Sequence, residues 1–210
     1  MAVKKKIATK KKILAKKKIV TKKKATSKNK VVAKKKTVTK KKIATKKKTL
    51  STVSQQPSNP IPSIGNPAPD FEFIHQGRSE NIGDFAGIIV LYFYPKDDTP
   101  GCTIEANGFN KIVSQLADRQ AIVVGVSPDS AVSHAKFKDK YSLSFYLVPD
   151  TDQTVSKKYG CWVEKSMYGK SYMGVSRTTF IIKNGIITHV FTKVSPNEHA
   201  EEVLSAVNSL

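Results

Sequence analysis

Lysine triplets recur every six residues through the first 48 positions of this 210-residue chain, and no regular secondary structure can bury such a pattern. The triplets begin at Lys4, Lys10, Lys16, Lys22, Lys34, Lys40 and Lys46, with one degraded unit at Lys28 to Lys30 and short spacers such as IAT, IVT and VVA. An α-helix turns about 100° per residue, so each repeat advances by about 240° net and lysine reaches every face. On a strand, each triplet occupies both faces. Neither geometry leaves an apolar stripe, and like-charge repulsion adds to the chain entropy that opposes folding. Residues 1–50 therefore read as a disordered low-complexity tail.

Charge separates this tail from the rest of the chain. The first 48 residues hold 23 of the 37 basic residues and none of the 16 acidic ones. Residues 49–210 carry 14 basic against 16 acidic residues, a net charge of −2 that is ordinary for a globular domain. Dense lysine without aromatics suits phosphate backbones rather than base edges. The seven triplets make nucleic acid the expected partner. An anionic membrane surface is the rival, disfavoured because the tail has no tryptophan or phenylalanine anchor. In composition the tail resembles lysine-rich histone H1-like tails. Residues 51–67 hold prolines 57, 60, 62 and 67 among Ser, Asn and Gln, and read as a semi-rigid linker.

Residues 68–210 read as one domain. FEFIH (71–75) alternates as a short strand, while GIIVLYFY (87–94) and AIVVGV (121–126) are continuous apolar runs expected of strands covered on both faces. A helix opening near Cys102 carries Phe109, Ile112, Val113 and Leu116 on one stripe. A second helix is expected at 131–141, a brief strand at 145–148 and a closing helix at 196–210. TTFIIK and IITHVFT flank Asn184-Gly185, a hairpin signal. Strands alternating with helices, then a hairpin and a helix, make an α/β sandwich around a mixed sheet.

The chain has two cysteines, Cys102 and Cys161, without CxxC or Cys/His metal spacing. Two cysteines make no disulfide framework, and no apolar run approaches the roughly 20 residues of a membrane span. The expectation is a soluble protein in a reducing, intracellular compartment. Cys102 sits where a polar loop enters a helix. Unpaired N–H groups and the positive end of the helix dipole favour thiolate there. A free thiol of pKa ~8.5 is only ~3% ionised at neutral pH, and one lowered to ~6 is ~90% ionised. Pro95 and Pro100 stiffen the loop, Gly101 admits close approach, and Thr99 can turn its hydroxyl toward the sulfur.

Pro95, Thr99 and Cys102 match PxxxTxxC, and this segment resembles the active-site pattern of the peroxiredoxins. The surrounding YFYPKDDTPGCTIEA, with NPAPDF before it and YGCWVEKSMYGKSYMG and VSRTTFII after it, is similar to the bacterioferritin-comigratory, or PrxQ, subgroup over Asn66 to Leu210. The resemblance implies a thioredoxin-like fold and reduction of hydrogen peroxide and organic hydroperoxides by a cysteine thiolate. It implies Cys102 as the peroxidatic nucleophile, Thr99 and the Cys102 N–H as groups on the peroxide oxygens, and Arg177 as the fixed cation. It further implies Pro95 as a shield against water and Glu105 as a support for Arg177 or the loop. No metal or organic cofactor is needed. The implied reductant is thioredoxin or another thiol system, and the implied state is a monomer.

One feature departs from the subgroup. The position five residues after Cys102, where many members carry a resolving cysteine, is Asn107. Either an external thiol resolves the sulfenic acid directly, or Cys161 reaches Cys102 after local unfolding. The first is favoured. The expected function is a peroxidase held near nucleic acid by its tail, in the cytoplasm at a nucleoid, or in the nucleus of a eukaryote. The alternative is a nucleic-acid-compacting protein whose domain is a redox sensor or passenger. A disulfide oxidoreductase is disfavoured because Glu105 occupies the CxxC partner position. The four histidines (His75, His134, His189, His199) read as surface or packing residues, Trp162 and Tyr168 as core or rim packing, and Asp97 and Asp98 as solvated loop charges.

Overall fold

The computed structural model describes residues 59–210. The lysine triplets and the linker as far as residue 58 lie outside the described residues. The apolar runs supply the centre of the fold. Strand β3 (Ile88–Phe93) is buried at every position, and β4 (Ala121–Ser127) nearly so. They pair in parallel, β5 (Tyr146–Pro149) adds to β4 in parallel, and β8 (Thr178–Lys183) runs antiparallel on the other side of β3. Strand β9 (Ile186–Thr192) follows β8 through a tight turn in which Asn184 and Gly185 have φ of 50° and 77°. The order β5-β4-β3-β8-β9 is the expected mixed sheet, within a thioredoxin-like fold.

Each face of the sheet has its own core, because successive side chains of a strand point to opposite faces. Val90, Tyr92 and Tyr94 face helices α1 (Pro100–Asp118), α2 (Ala131–Tyr141) and α4 (His199–Asn208). Phe109, Ile112 and Leu116 form the buried stripe of α1, as their spacing predicts. His199, fully buried, holds α4 in place by a 2.7 Å hydrogen bond between Nε2 and Thr179 Oγ1 and by edge-on packing against Phe109. On the opposite face, Ile89, Leu91 and Phe93 pack with Phe71, Phe73, Tyr159, Cys161 and Val175.

Three small elements depart from the sequence reading. Strand β1 (Glu72–His75) pairs with an unforeseen β2 (Arg78–Asn81), and a five-residue helix α3 (Thr154–Lys158) precedes Cys161. The largest addition is a separate two-stranded hairpin, β6 (Trp162–Met167) with β7 (Lys170–Val175), turning at Tyr168 and Gly169 with φ of 52° and 75°. Its side chains are mostly exposed, so no apolar alternation announced it. Tyr168, expected to pack, stands 97% exposed at its tip, whereas Trp162 packs against the second core as expected. No helix among the described residues is long and apolar enough to cross a membrane.

Candidate active site

Helix α1 starts two residues before Cys102, with Thr99 at its N-cap and Pro100 in its first position. Proline suits that place, since its missing N–H would have no helical partner. Thr103 N–H already returns to Thr99 O at 2.8 Å. The N–H groups of Gly101 and Cys102 precede the first helical bond and point out of the helix end. Cys102 is thus the third residue of the helix, within the reach of the dipole, and its side chain is 1% exposed.

A cation arrives from across the sheet. Arg177 lies between β7 and β8, and its Nη2 donates to Cys102 Sγ at 3.4 Å. Its Nη1 donates to Oε2 of Glu105, one turn along α1. A single guanidinium therefore bridges a sulfur and a carboxylate. Burial pushes the Glu105 carboxyl up to about 7, against the pull of Arg177. Its second oxygen, Oε1, has no hydrogen-bond partner among the described residues. Gly101 makes room for this arrangement, because a Cβ there would lie 3.3 Å from Arg177 Nη2.

Lys165, which sequence reasoning missed, approaches from β6. Its Nζ donates to Val175 O at 2.6 Å, two residues before Arg177. Burial, and then the nearby Arg177 charge, push its ammonium down, while Cys102 pulls the other way. Lys165 therefore ties down the strand that leads to Arg177. Its alternation in an exposed hairpin gave no sequence signal.

Pro95 is half-buried at the end of β3, on the loop leading to Cys102. The Thr99 hydroxyl differs from expectation. It donates to Lys96 O at 3.0 Å instead of capping the helix or facing the sulfur as a donor. With its proton committed, Thr99 offers lone pairs, so it can accept a hydrogen bond from a peroxide O–H.

Asp97 is not the solvated charge that the sequence suggested, whereas Asp98 is exposed as expected. Asp97 is buried among Tyr94, Ser133 and His134, and Asp98 is bound by Lys140 and Tyr141. His134 is likewise buried.

Cys161 lies in the other core, with the sheet between it and Cys102. It is fully buried, its Sγ–H donates to Tyr159 O at 3.5 Å, and burial pushes its thiol up to about 12. This is an inert environment for a thiol. Asn107 is half-buried on α1 and has no sulfur to offer. Among the described residues no group of three or more His, Cys, Asp or Glu is arranged to hold a metal ion.

Known proteins share this architecture. The sequence pattern of the AhpC/TSA family matches residues 64–190. A putative peroxiredoxin bcp of Coxiella burnetii is 45% identical over 144 residues, spanning 67% of this chain and 95% of that protein. Peroxiredoxin Bcp of Bacillus subtilis is 41% identical over 150 residues, 70% of this chain and 96% of its own. Among solved structures, a PrxQ variant from Xylella fastidiosa superposes with a TM-score of 0.64 at 34% identity, over 70% of this chain and 96% of that one. The bacterioferritin comigratory protein of Xanthomonas campestris, studied for alkyl peroxide reduction, gives 0.60 at 37% identity, over 63% and 86%.

Proposed function

Because the chain belongs to the AhpC/TSA family and, within it, to the Bcp/PrxQ peroxiredoxins, which are thiol-dependent peroxidases, we propose that Cys102 is its peroxidatic residue. The observation that carries this reading is the 3.4 Å contact between Arg177 Nη2 and Cys102 Sγ at the start of α1. In the proposed reaction the Cys102 thiolate attacks the OH-bearing oxygen of a hydroperoxide. An S–O bond forms, the O–O bond breaks, and the alkoxide or hydroxide that leaves takes a proton from solvent. Cys102 is oxidised to a sulfenic acid and the peroxide is reduced to an alcohol or water. Thr99 accepts from the peroxide O–H and so orients it. Arg177 and the backbone N–H groups stabilise the negative charge that grows on the leaving oxygen. Pro95 keeps water from the sulfur. Glu105 holds Arg177 in register.

The second half of the cycle uses an external thiol. It attacks the sulfenic sulfur, water leaves, and a mixed disulfide forms. A second thiol then releases reduced Cys102. Thioredoxin or another thiol reductant fills this role. The opposite-face position of Cys161 and the asparagine at 107 favour this one-cysteine route. Turnover of peroxide with a thiol donor tests the reading. It should vanish in Cys102→Ser and persist in Cys161→Ala.

The lysine triplets beginning at Lys4, Lys10, Lys16, Lys22, Lys34, Lys40 and Lys46 are proposed to hold the peroxidase on nucleic acid, at a nucleoid or in a nucleus. Their charge density and lack of aromatics support binding to phosphates without base selection. The test is binding of the full chain to duplex DNA of two unrelated sequences. Equal affinity for both is expected, and absence of binding at low salt contradicts the proposal.

A further inference from the structure

The loop that delivers Thr99 and Cys102 is gripped by one face of α2. Asp97 lies in the middle of this loop and is 6% exposed. Its Oδ1 accepts from Tyr94 OH at 2.7 Å. Its Oδ2 accepts from Ser133 Oγ at 2.7 Å and from His134 Nδ1 at 2.9 Å. Its own N–H donates to Asp129 Oδ2 at 2.8 Å, and Ser127 Oγ holds that same oxygen at 3.0 Å. Asp98, the next residue, turns the chain through a left-handed φ of 54° and accepts from Lys140 Nζ at 2.7 Å and Tyr141 OH at 2.6 Å. Ser133/His134 and Lys140/Tyr141 are seven residues apart, about two helical turns, and so share one face of α2. Phe137, between them, is buried with its ring 6.4 Å from that of Tyr94.

A buried carboxylate is tolerated only when its oxygens are fully hydrogen-bonded. Here burial opposes the charge, and the bonds from His134, Ser133 and Tyr94 outweigh it, holding the Asp97 carboxyl below the usual carboxylate range. Three donors spent on one loop residue fix that loop far more firmly than surface contacts would. Two residues on, the Thr99 hydroxyl is locked to Lys96 O, and the helix of Cys102 begins.

We infer that Asp97 is a positioning residue for peroxide reduction, with α2 as the anchor that fixes the Lys96–Thr99 turn against the start of α1. It does not touch Cys102. It acts through Thr99 and the first helical N–H groups. The inference rests on the reading of Cys102 as peroxidatic. The exposed Asp98–Lys140 pair is the outer, weaker end of the grip, since solvent-exposed ion pairs contribute little.

The test separates the two half-reactions. Oxidation of Cys102 by hydrogen peroxide and reduction of the resulting sulfenic acid by dithiothreitol are each timed in a single turnover of the full chain. In Asp97→Asn the oxidation rate should fall by about 10- to 100-fold, the range expected for misplaced catalytic groups. The reduction rate should stay level or rise as the loop loosens. Asp98→Asn should change neither by more than about threefold. A structural role alone would lower the unfolding midpoint and leave the ratio of the two rates unchanged. That outcome, or a wild-type oxidation rate in folded Asp97→Asn, overturns the inference. Should Asp97→Asn fail to fold, Tyr94→Phe and Ser133→Ala each remove one donor with little change of shape. Each should show the same one-sided loss, and wild-type rates in both overturn the inference. Failure of the underlying reading shows separately, as wild-type protein that peroxide does not oxidise at Cys102, and the inference falls with it.

Discussion

At the scale of single residues, the site is a contest for one guanidinium. Arg177 serves Cys102 with one nitrogen and Glu105 with the other. Replacing it with Met should lower the second-order rate with peroxide by about 10²- to 10³-fold, the usual loss when a donor to developing charge is removed. Stopped-flow oxidation of the reduced protein measures this. Glu105 has a stability signature of its own. Its folded pKa, about 7, lies above the ordinary 4.5, so the native state binds this proton more tightly than the unfolded state. The resulting stabilisation is complete below about pH 4.5 and is lost as pH rises through 7. Urea denaturation of Glu105→Gln should therefore gain on wild type by on the order of 3 kcal/mol between pH 4.5 and pH 8. A difference that does not vary with pH would place the carboxyl in its ordinary range.

At the scale of elements, the parts of the fold that carry continuous apolar character were legible. The IIVLYF run had to be a strand covered on both sides, and the Phe109–Ile112–Leu116 stripe had to face a core. Cys102 and Arg177 were legible through the motifs around them, though nothing in their spacing, 75 residues apart, revealed their contact. The features that escaped did so for physical reasons. The β6–β7 hairpin is held by backbone pairing and exposes most of its side chains, so its residues carry no period. Asp97 looked solvated because a buried carboxylate is recognised only by its donors, and two of those lie on α2. The direction of the Thr99 hydroxyl depends on a carbonyl three residues back, which a sequence does not orient. The start of α1 yields a prediction at this scale. Gly101→Ala puts a methyl against Arg177 Nη2 and should slow peroxide oxidation about tenfold. Circular dichroism should remain that of wild type, because alanine favours the helix.

For the whole molecule, the lysine-rich segment and the domain are two chemistries on one chain. The relatives align with about two thirds of this chain while spanning nearly all of their own length, so the peroxidase architecture is complete without the triplets. Removing residues 1–56 should leave peroxide turnover within about twofold of the full chain, since the family match, residues 64–190, lies wholly beyond the cut. The same truncation should abolish DNA binding. For the full chain, that binding should weaken by about 10³- to 10⁵-fold between 50 and 200 mM salt if six to ten phosphates are neutralised. A shallow salt slope would mean that few lysines engage at once.

The central claim is that Cys102 is a poised nucleophile resolved from outside the chain. Its most direct test is the reaction of reduced full-length protein with one equivalent of hydrogen peroxide at neutral pH, timed and followed by intact mass. Stabilisation of the leaving oxygen should make oxidation at least about 10²-fold faster than that of free cysteine, with one oxygen gained at Cys102. A rate no greater than that of free cysteine, or a product lighter by two hydrogens through a Cys102–Cys161 bridge, would contradict it.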